Sequence, residues 1–235
     1  FNDFWTKKDA NGDYARPIGA FRPIYMFGYI LDKFAYKDLS FNIGLRVDRY
    51  DANQKVLKDP YSLYGIRKNG DLKAGTYLVA TDKNDNDKRA PDPSSFSSDY
   101  VPYIDNNQAT KPTIVGYRKG DTWYDPFGRQ IADPTVLSGL YGGGLPIQPW
   151  LINKTDSIKG SAFNPNNSFE DFKPQVTLSP RLQFSFPISE ESLFYGNYDV
   201  ITQTPSSNNF VTPDDYYFLA ERQSTINNAN LKMEK

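Results

Sequence analysis

The sequence predicts an all-β fold: an antiparallel transmembrane β-barrel segment of two hairpins that carries a long extracellular loop. Three observations predict it. Two stretches alternate apolar and polar residues with period two, as a two-faced strand does. Each stretch is a pair of runs split by a short polar turn, whereas the connection between the stretches is very long. Aromatic residues make up 15% of the 235 positions, beside 17 prolines and 16 glycines, which suits strands and loops better than helices.

Residues 1–20 read as a loop or strand end, and the first hairpin occupies 21–50. Its opening run, IYMFGYILDKF, is aromatic and apolar on both faces, so its parity stays ambiguous. A tight turn at Tyr36 to Asp38 leads into SFNIGLRVDRY. There Phe41, Ile43, Leu45 and Val47 share one face, and Asn42, Gly44, Arg46 and Asp48 the other. Residues 51–174 form a large loop rich in Gly, Pro, Asn and Asp, with short strand-like pieces such as TYLVAT and TIVGYR. Connections in compact domains run about 4 to 6 residues, so a stretch this long has its own structure or a function. The second hairpin, 175–203, places Val176, Leu178, Leu182, Phe184 and Phe186 opposite Gln175, Thr177, Ser179, Arg181, Gln183 and Ser185. It turns at SEES, residues 189 to 192, into the aromatic run LFYGNYDVITQ. Residues 204–235 form a further loop leading to the next strand.

Composition excludes several function classes. With 27 Lys and Arg against 28 Asp and Glu, the net charge of -1 supplies no global field for nucleic acid. Without cysteine or histidine there is no thiolate, no imidazole base and no ordinary zinc site, so no enzyme activity and no cofactor are expected. No stretch approaches the roughly 20 apolar residues of a membrane helix.

Period two fits a soluble sandwich, whose apolar face packs on a second sheet, and equally an outer-membrane barrel, whose apolar face meets lipid. The connections favour the barrel, because outer-membrane barrels join strands by short turns on one side and long loops on the other. Runs of about 11 residues also suit a tilted crossing of the bilayer. Phe34, Tyr36, Tyr50, Phe186 and Phe194 are expected as interfacial girdle residues.

YMFGYILDKFAYKDLSFNIGLRVDRYDANQKVLKDPYSLY resembles barrel strands of TonB-dependent outer-membrane receptors of the Bacteroidetes type. LSPRLQFSFPISEESLFYGNYDVITQTPS is similar to a later hairpin of that barrel, and NNANLKMEK to a recurrent segment in which Met233 replaces the usual proline. IVGYRKGDTWYDPFG is similar to loop sequence of the same subgroup. The resemblance implies a bacterial outer-membrane location and energy-coupled uptake of a scarce solute such as an iron chelate, glycan or peptide. It implies as partners outer-membrane lipid, the rest of the parent barrel with its plug, TonB through a segment outside this sequence, and a surface lipoprotein. Four strands cannot close a barrel whose minimum is about 8, so the chain is expected to be an internal slice of a longer protein. The alternative function is a secreted soluble β module that binds carbohydrate through loop aromatics.

Within the long loop, Trp123, Tyr124, Tyr141 and Trp150 are the candidate ligand-binding residues, since flat aromatic faces stack on sugar rings or on apolar parts of a ligand. The competing reading makes them a small core that fastens the loop to itself. Asp82, Asn84, Asp85, Asn86 and Asp87 are oxygen ligands of the type calcium takes, but the EF-hand glycine and distal glutamate are missing, so no metal site is assigned. The pairs Asp214/Asp215 and Glu190/Glu191 sit in turns and read as solvated charges. Arg46, Asp48 and Arg181 read as lumen or plug contacts.

Overall fold

The computed structural model describes residues 1–83, 85–221 and 225–235. Its strands in chain order are β1 (Ile24–Tyr36), β2 (Leu39–Asp51), β3 (Lys55–Leu57), β4 (Leu78–Val79), β5 (Thr81–Asp82), β6 (Asp85–Arg89), β7 (Val101–Ile104), β8 (Thr113–Lys119), β9 (Thr122–Tyr124), β10 (Gln130–Ile131), β11 (Gln148–Pro149), β12 (Phe169–Asp171), β13 (Gln175–Ser189) and β14 (Ser192–Asp199). Four single-turn helices accompany them among the described residues: α1 (Asp3–Thr6), α2 (Val136–Leu140), α3 (Pro165–Ser168) and α4 (Pro213–Tyr217). The fold is therefore mostly β with antiparallel sheets. The chain divides into two units, Phe1–Lys58 with Asn164–Lys235, and Asp59–Phe163.

The first unit is built on an open four-stranded antiparallel sheet in the order β1-β2-β13-β14. Strands β1 and β14 are its edges, and no closed barrel forms among the described residues. The β1–β2 register is unbroken from Ile24↔Asp51 to Tyr36↔Leu39. Its turn is Lys37–Asp38, with Lys37 in the left-handed conformation (φ 54°) that a two-residue hairpin needs. The β13–β14 turn lies at the same end of the sheet, because Ser185 of β13 stands opposite Ser40 of β2. At the other end the chain enters and leaves the inserted unit through the short β3–β12 pair.

Register assigns the faces. Ile30, Phe34, Phe41, Ile43, Leu45, Val47, Leu178, Leu182, Phe184 and Phe194 fall on one side. Opposite lie Asn42, Arg46, Asp48, Thr177, Ser179, Arg181 and Asp199, and the β1 residues Tyr25, Phe27 and Leu31 join them. The ambiguous parity of β1 has a physical source, since both of its faces are apolar and both are exposed.

The expected second hairpin stops short of residue 203. Strand β14 ends at Asp199, and Val200 donates its N–H to Pro180 O at 3.1 Å. Pro180 has no N–H to return, so the ladder ends there, and its missing donor points to the side where β14 has finished.

At the far end of this sheet the terminal segments pack into an aromatic cap. Phe169 packs on Trp5 (5.5 Å, stacked) and Tyr216 (4.9 Å), and Phe1 lies 4.9 Å from Phe169. Helix α4 starts in a capping box: Asp215 accepts from the Thr212 N–H and hydroxyl at 2.8 and 2.7 Å. Tyr50 belongs to this cap, 4% exposed against Phe172, which removes it from the expected girdle. Met233 donates its N–H to Gln175 Oε1 at 2.8 Å, a bond that proline there would lack.

The second unit carries its own sheet, in the order β10-β9-β8-β7-β11 with β4 parallel to the start of β8. Ile104, Ile114 and Tyr117 form its core, with Leu72, Phe96, Tyr100 and Trp150 packed around them. Helix α2 lies directly on β8: a Cβ at Gly116 would stand 2.6 Å from Leu137 Cδ1.

Candidate ligand-binding cleft

An opening in the second unit forms around Trp150, and backbone hydrogen bonds hold the segment that carries the indole. Trp150 N–H donates to Pro102 O at 3.1 Å, and its carbonyl accepts the Arg67 N–H at 2.8 Å. Asn107 brackets the same segment, donating to Gln148 Oε1 and Pro149 O and accepting the Leu151 N–H at 3.1 Å. The indole packs against the Ile104, Ile114 and Tyr117 core and lines a cleft of about 470 Å³. That volume falls in the range of small-molecule sites, about 300 to 1,000 Å³.

Charge enters from three stretches. Arg67, Lys73 and Lys154 line the cleft with one carboxylate, Asp71. Arg67 donates Nη2 to Ile152 O at 3.2 Å and lies 5.7 Å from the centre of the Trp150 ring. Its Nε is buried without a hydrogen-bond partner. The Asp71 Oδ2 is already engaged by the Lys68 N–H at 2.8 Å, closing a short 3-10 turn.

The four aromatics expected to bind ligand do not share one surface. Trp123 and Tyr124, adjacent in β9, point to opposite faces. Trp123 packs edge-on to Tyr103 (4.7 Å) and Tyr61 (5.6 Å), around the guanidinium of Arg118. Tyr124 stacks on Tyr100 at 5.1 Å and 24°. Tyr141 lies 6.1 Å from Phe127, and Arg129 donates to its hydroxyl at 3.5 Å. Trp150 alone of the four lines the cleft. The first three fasten the unit to itself, and their buried neighbours show the strain of burying polar groups. Burial pushes the Tyr103 phenol up, with Arg118 opposing. Burial disfavours the Arg118 charge, yet its bonds to Asp59 (2.5 Å) and Tyr103 hold the net shift upward.

Sequence reasoning missed Arg67, Lys73 and Lys154. An isolated cation in a loop carries no periodic signal, and these three meet only because Ile66 bridges to Leu151 across 85 residues.

The remaining candidates are accounted for locally. Asp85 accepts the Asp87 N–H at 3.1 Å, and Asp82 lies 3.9 Å from Lys88. Asn84 lies outside the described residues, and among the described ones no three acidic groups converge on a metal-holding site. Asp215 is consumed by its cap. On the sheet of the first unit, Arg46 pairs with Asp48 at 2.9 Å and with the Tyr25 hydroxyl at 2.8 Å, while Tyr25 also donates to Asp48. Arg181 pairs with Asp199 at 2.6 Å and Asn42 with Gln183 at 2.9 Å. Two charge pairs of the polar face are thus closed within the sheet, while Asn42 Oδ1 and Gln175 Nε2 are buried without a hydrogen-bond partner.

No protein family, curated protein or solved structure matches the chain.

Proposed function

We propose that this chain is part of a TonB-dependent outer-membrane transporter that imports a scarce solute by energy-coupled uptake. The observation that carries the reading is an inversion of the usual burial pattern on the four-stranded sheet. On the polar face Asp48 and Ser179 are buried, at 1% and 7%, whereas Leu178 on the apolar face is 56% exposed and Ile43 44%. A water-soluble sheet with one solvated face buries its hydrophobes and exposes its charges. An open face that is apolar apart from Asp32 of β1 and the Arg49–Asp51 pair at its end, backed by the Arg46–Asp48 and Arg181–Asp199 pairs, suits a lipid-facing strand array.

Dimensions agree with that assignment. Strands β1 and β2 have 13 residues each. At about 3.3 Å per residue such a strand is roughly 43 Å long, and a tilt near 45° gives it a height of about 30 Å, one hydrocarbon core. Phe34, Phe41, Phe184, Phe186 and Phe194 gather on the apolar face toward the tight turns, with Phe34 stacked on Phe41 at 5.0 Å and Phe194 5.1 Å from Phe186. A row at that depth suits an interfacial aromatic belt. The open edges of β1 and β14 would pair with further strands of the parent barrel, which removes the liability of exposed ladder groups. The test is fractionation: the parent protein is expected with the outer membrane, soluble only in detergent. Recovery as a soluble monomer rejects the proposal.

A further inference from the structure

The cleft beside Trp150 is electropositive although the whole chain carries a net charge of -1. Three cations line it with a single carboxylate, and that carboxylate already accepts a backbone N–H. The exposed Lys73 and Lys154 ammonium groups have no hydrogen bond or ion pair among the described residues, their only bonds being through backbone carbonyls. Arg67 spends Nη2 on the Ile152 carbonyl and its Nε is buried, which leaves Nη1 without a hydrogen bond among the described residues. We propose that this cleft binds an acidic oligosaccharide, with a sugar ring on the Trp150 indole and its carboxylate or sulfate groups held by Arg67, Lys73 and Lys154.

Each part of the ligand follows from a part of the site. A rigid pyranose has an apolar C–H face that fits a flat ring, and the Trp150 backbone, bonded on both sides, holds that ring ready. Thr110 and the Asn153 amide nitrogen are neutral groups on the lining that can meet hydroxyls. The cations supply charge-assisted bonds to an anion and account for the excess of positive charge. A flexible acidic peptide would satisfy the charges but loses more conformational entropy on binding and makes little use of one flat ring. The proposal goes beyond the transporter reading and does not rest on it, because every lining residue belongs to the unit 59–163 and binding is measured whether or not the sheet meets lipid.

Calorimetric titration of the full chain in detergent tests it, with four probes: trigalacturonate, a sulfated galactose trisaccharide, neutral galactotriose and triglutamate. The expected result is binding of at least one acidic trisaccharide, weakened by added salt and stronger than that of galactotriose or triglutamate. The tighter of the two acidic sugars then distinguishes carboxylate from sulfate. The double variant Lys73→Gln, Lys154→Gln, which removes no hydrogen bond or ion pair among the described residues, should lose at least about tenfold in affinity, the equivalent of a single charge-assisted bond. Equal binding of galactotriose, tighter binding of triglutamate, unchanged affinity in the double variant, or no heat from any probe overturns the proposal.

Discussion

Replacing Leu182 with arginine tests the lipid-facing assignment more sharply than any other single change. Leu182 is the middle residue of the fifteen in β13, flanked on its face by Ile43 of β2 and Tyr198 of β14. If that face meets lipid, an arginine near the midplane costs about 2 to 4 kcal/mol. Its neighbour Gln183 faces the other way and accepts a bond from Asn42 at 2.9 Å. Losing that bond in Gln183→Arg costs about 0.5 to 1.5 kcal/mol, so the middle of each range leaves Leu182→Arg worse by about 2 kcal/mol, roughly 30-fold in the folded ratio. In water the order reverses, because an exposed substitution at Leu182 costs no more than about 0.5 kcal/mol. The assay is the heat-modifiable mobility of each full-length variant in outer-membrane preparations. Equal yields, or a better yield for Leu182→Arg, refute the lipid-facing reasoning. Gly44 is a poorer second control on the polar face, since a Cβ there would stand 2.8 Å from Leu31 Cδ1 and force that side chain to shift.

Three further outcomes are expected. Arg118 is 3% exposed and paired with Asp59, itself 16% exposed, so Arg118→Met leaves a partly buried carboxylate unpaired and should cost about 1 to 3 kcal/mol in denaturant unfolding followed by near-ultraviolet circular dichroism; a loss below about 0.5 kcal/mol contradicts it. Gly116→Ala forces a methyl against Leu137 and against the Tyr124 carbonyl at 2.9 Å, and a loss of about 1 to 3 kcal/mol is expected in the same measurement, while a neutral result shows that α2 moves freely on β8. Burial, aided by the Asp215 charge, pushes the Tyr216 phenol from 10.0 up to about 12. The folded cap therefore holds a proton that the unfolded chain releases, so this contribution to stability is complete below pH 10 and is lost as pH rises toward 12. Tyrosine absorbance at 295 nm should show a late-titrating fraction, and Tyr216→Phe should remove part of it; one uniform transition near pH 10 tells against the packed cap.

What the sequence made legible was what local chemistry dictates. Strands β2 and β13 alternate cleanly, so which of their residues share a face follows from the sequence, whereas the pairing of β2 with β13 that brings the two sets together does not. The inserted unit was opaque for the opposite reason. Most of its strands are two to five residues long, too short for a period to show, and they pair across long separations such as Gln148 with Ile104. TIVGYR, the one strand-like piece that became a long strand there, is also the one whose residues are buried almost throughout, as β8. The cleft was half legible: the indole of Trp150 announces itself by residue type, while Arg67, Lys73 and Lys154 acquire meaning only when a nonlocal bridge brings them beside it.

The same contrast explains why the two units bury their aromatics so differently. In the insert, and in the cap of the first unit, rings converge because single-turn helices and irregular chain offer no regular core. Ring-on-ring contacts such as Tyr100 on Tyr124 and Phe169 on Trp5 supply the cohesion that short strands cannot. On the four-stranded sheet the backbone ladder already provides cohesion, and the rings of its apolar face are free to face outward: Tyr198 is 59% exposed and Phe34 44%. Large apolar area turned outward from such a sheet lowers free energy only where something other than water covers it. The charge pairs of the opposite face need no such cover, because Asp48 and Asp199 already hold Arg46 and Arg181 within the sheet. The two faces therefore make opposite demands on their surroundings, and substitutions at Leu182 and Gln183, adjacent in sequence and opposed in space, read those demands separately.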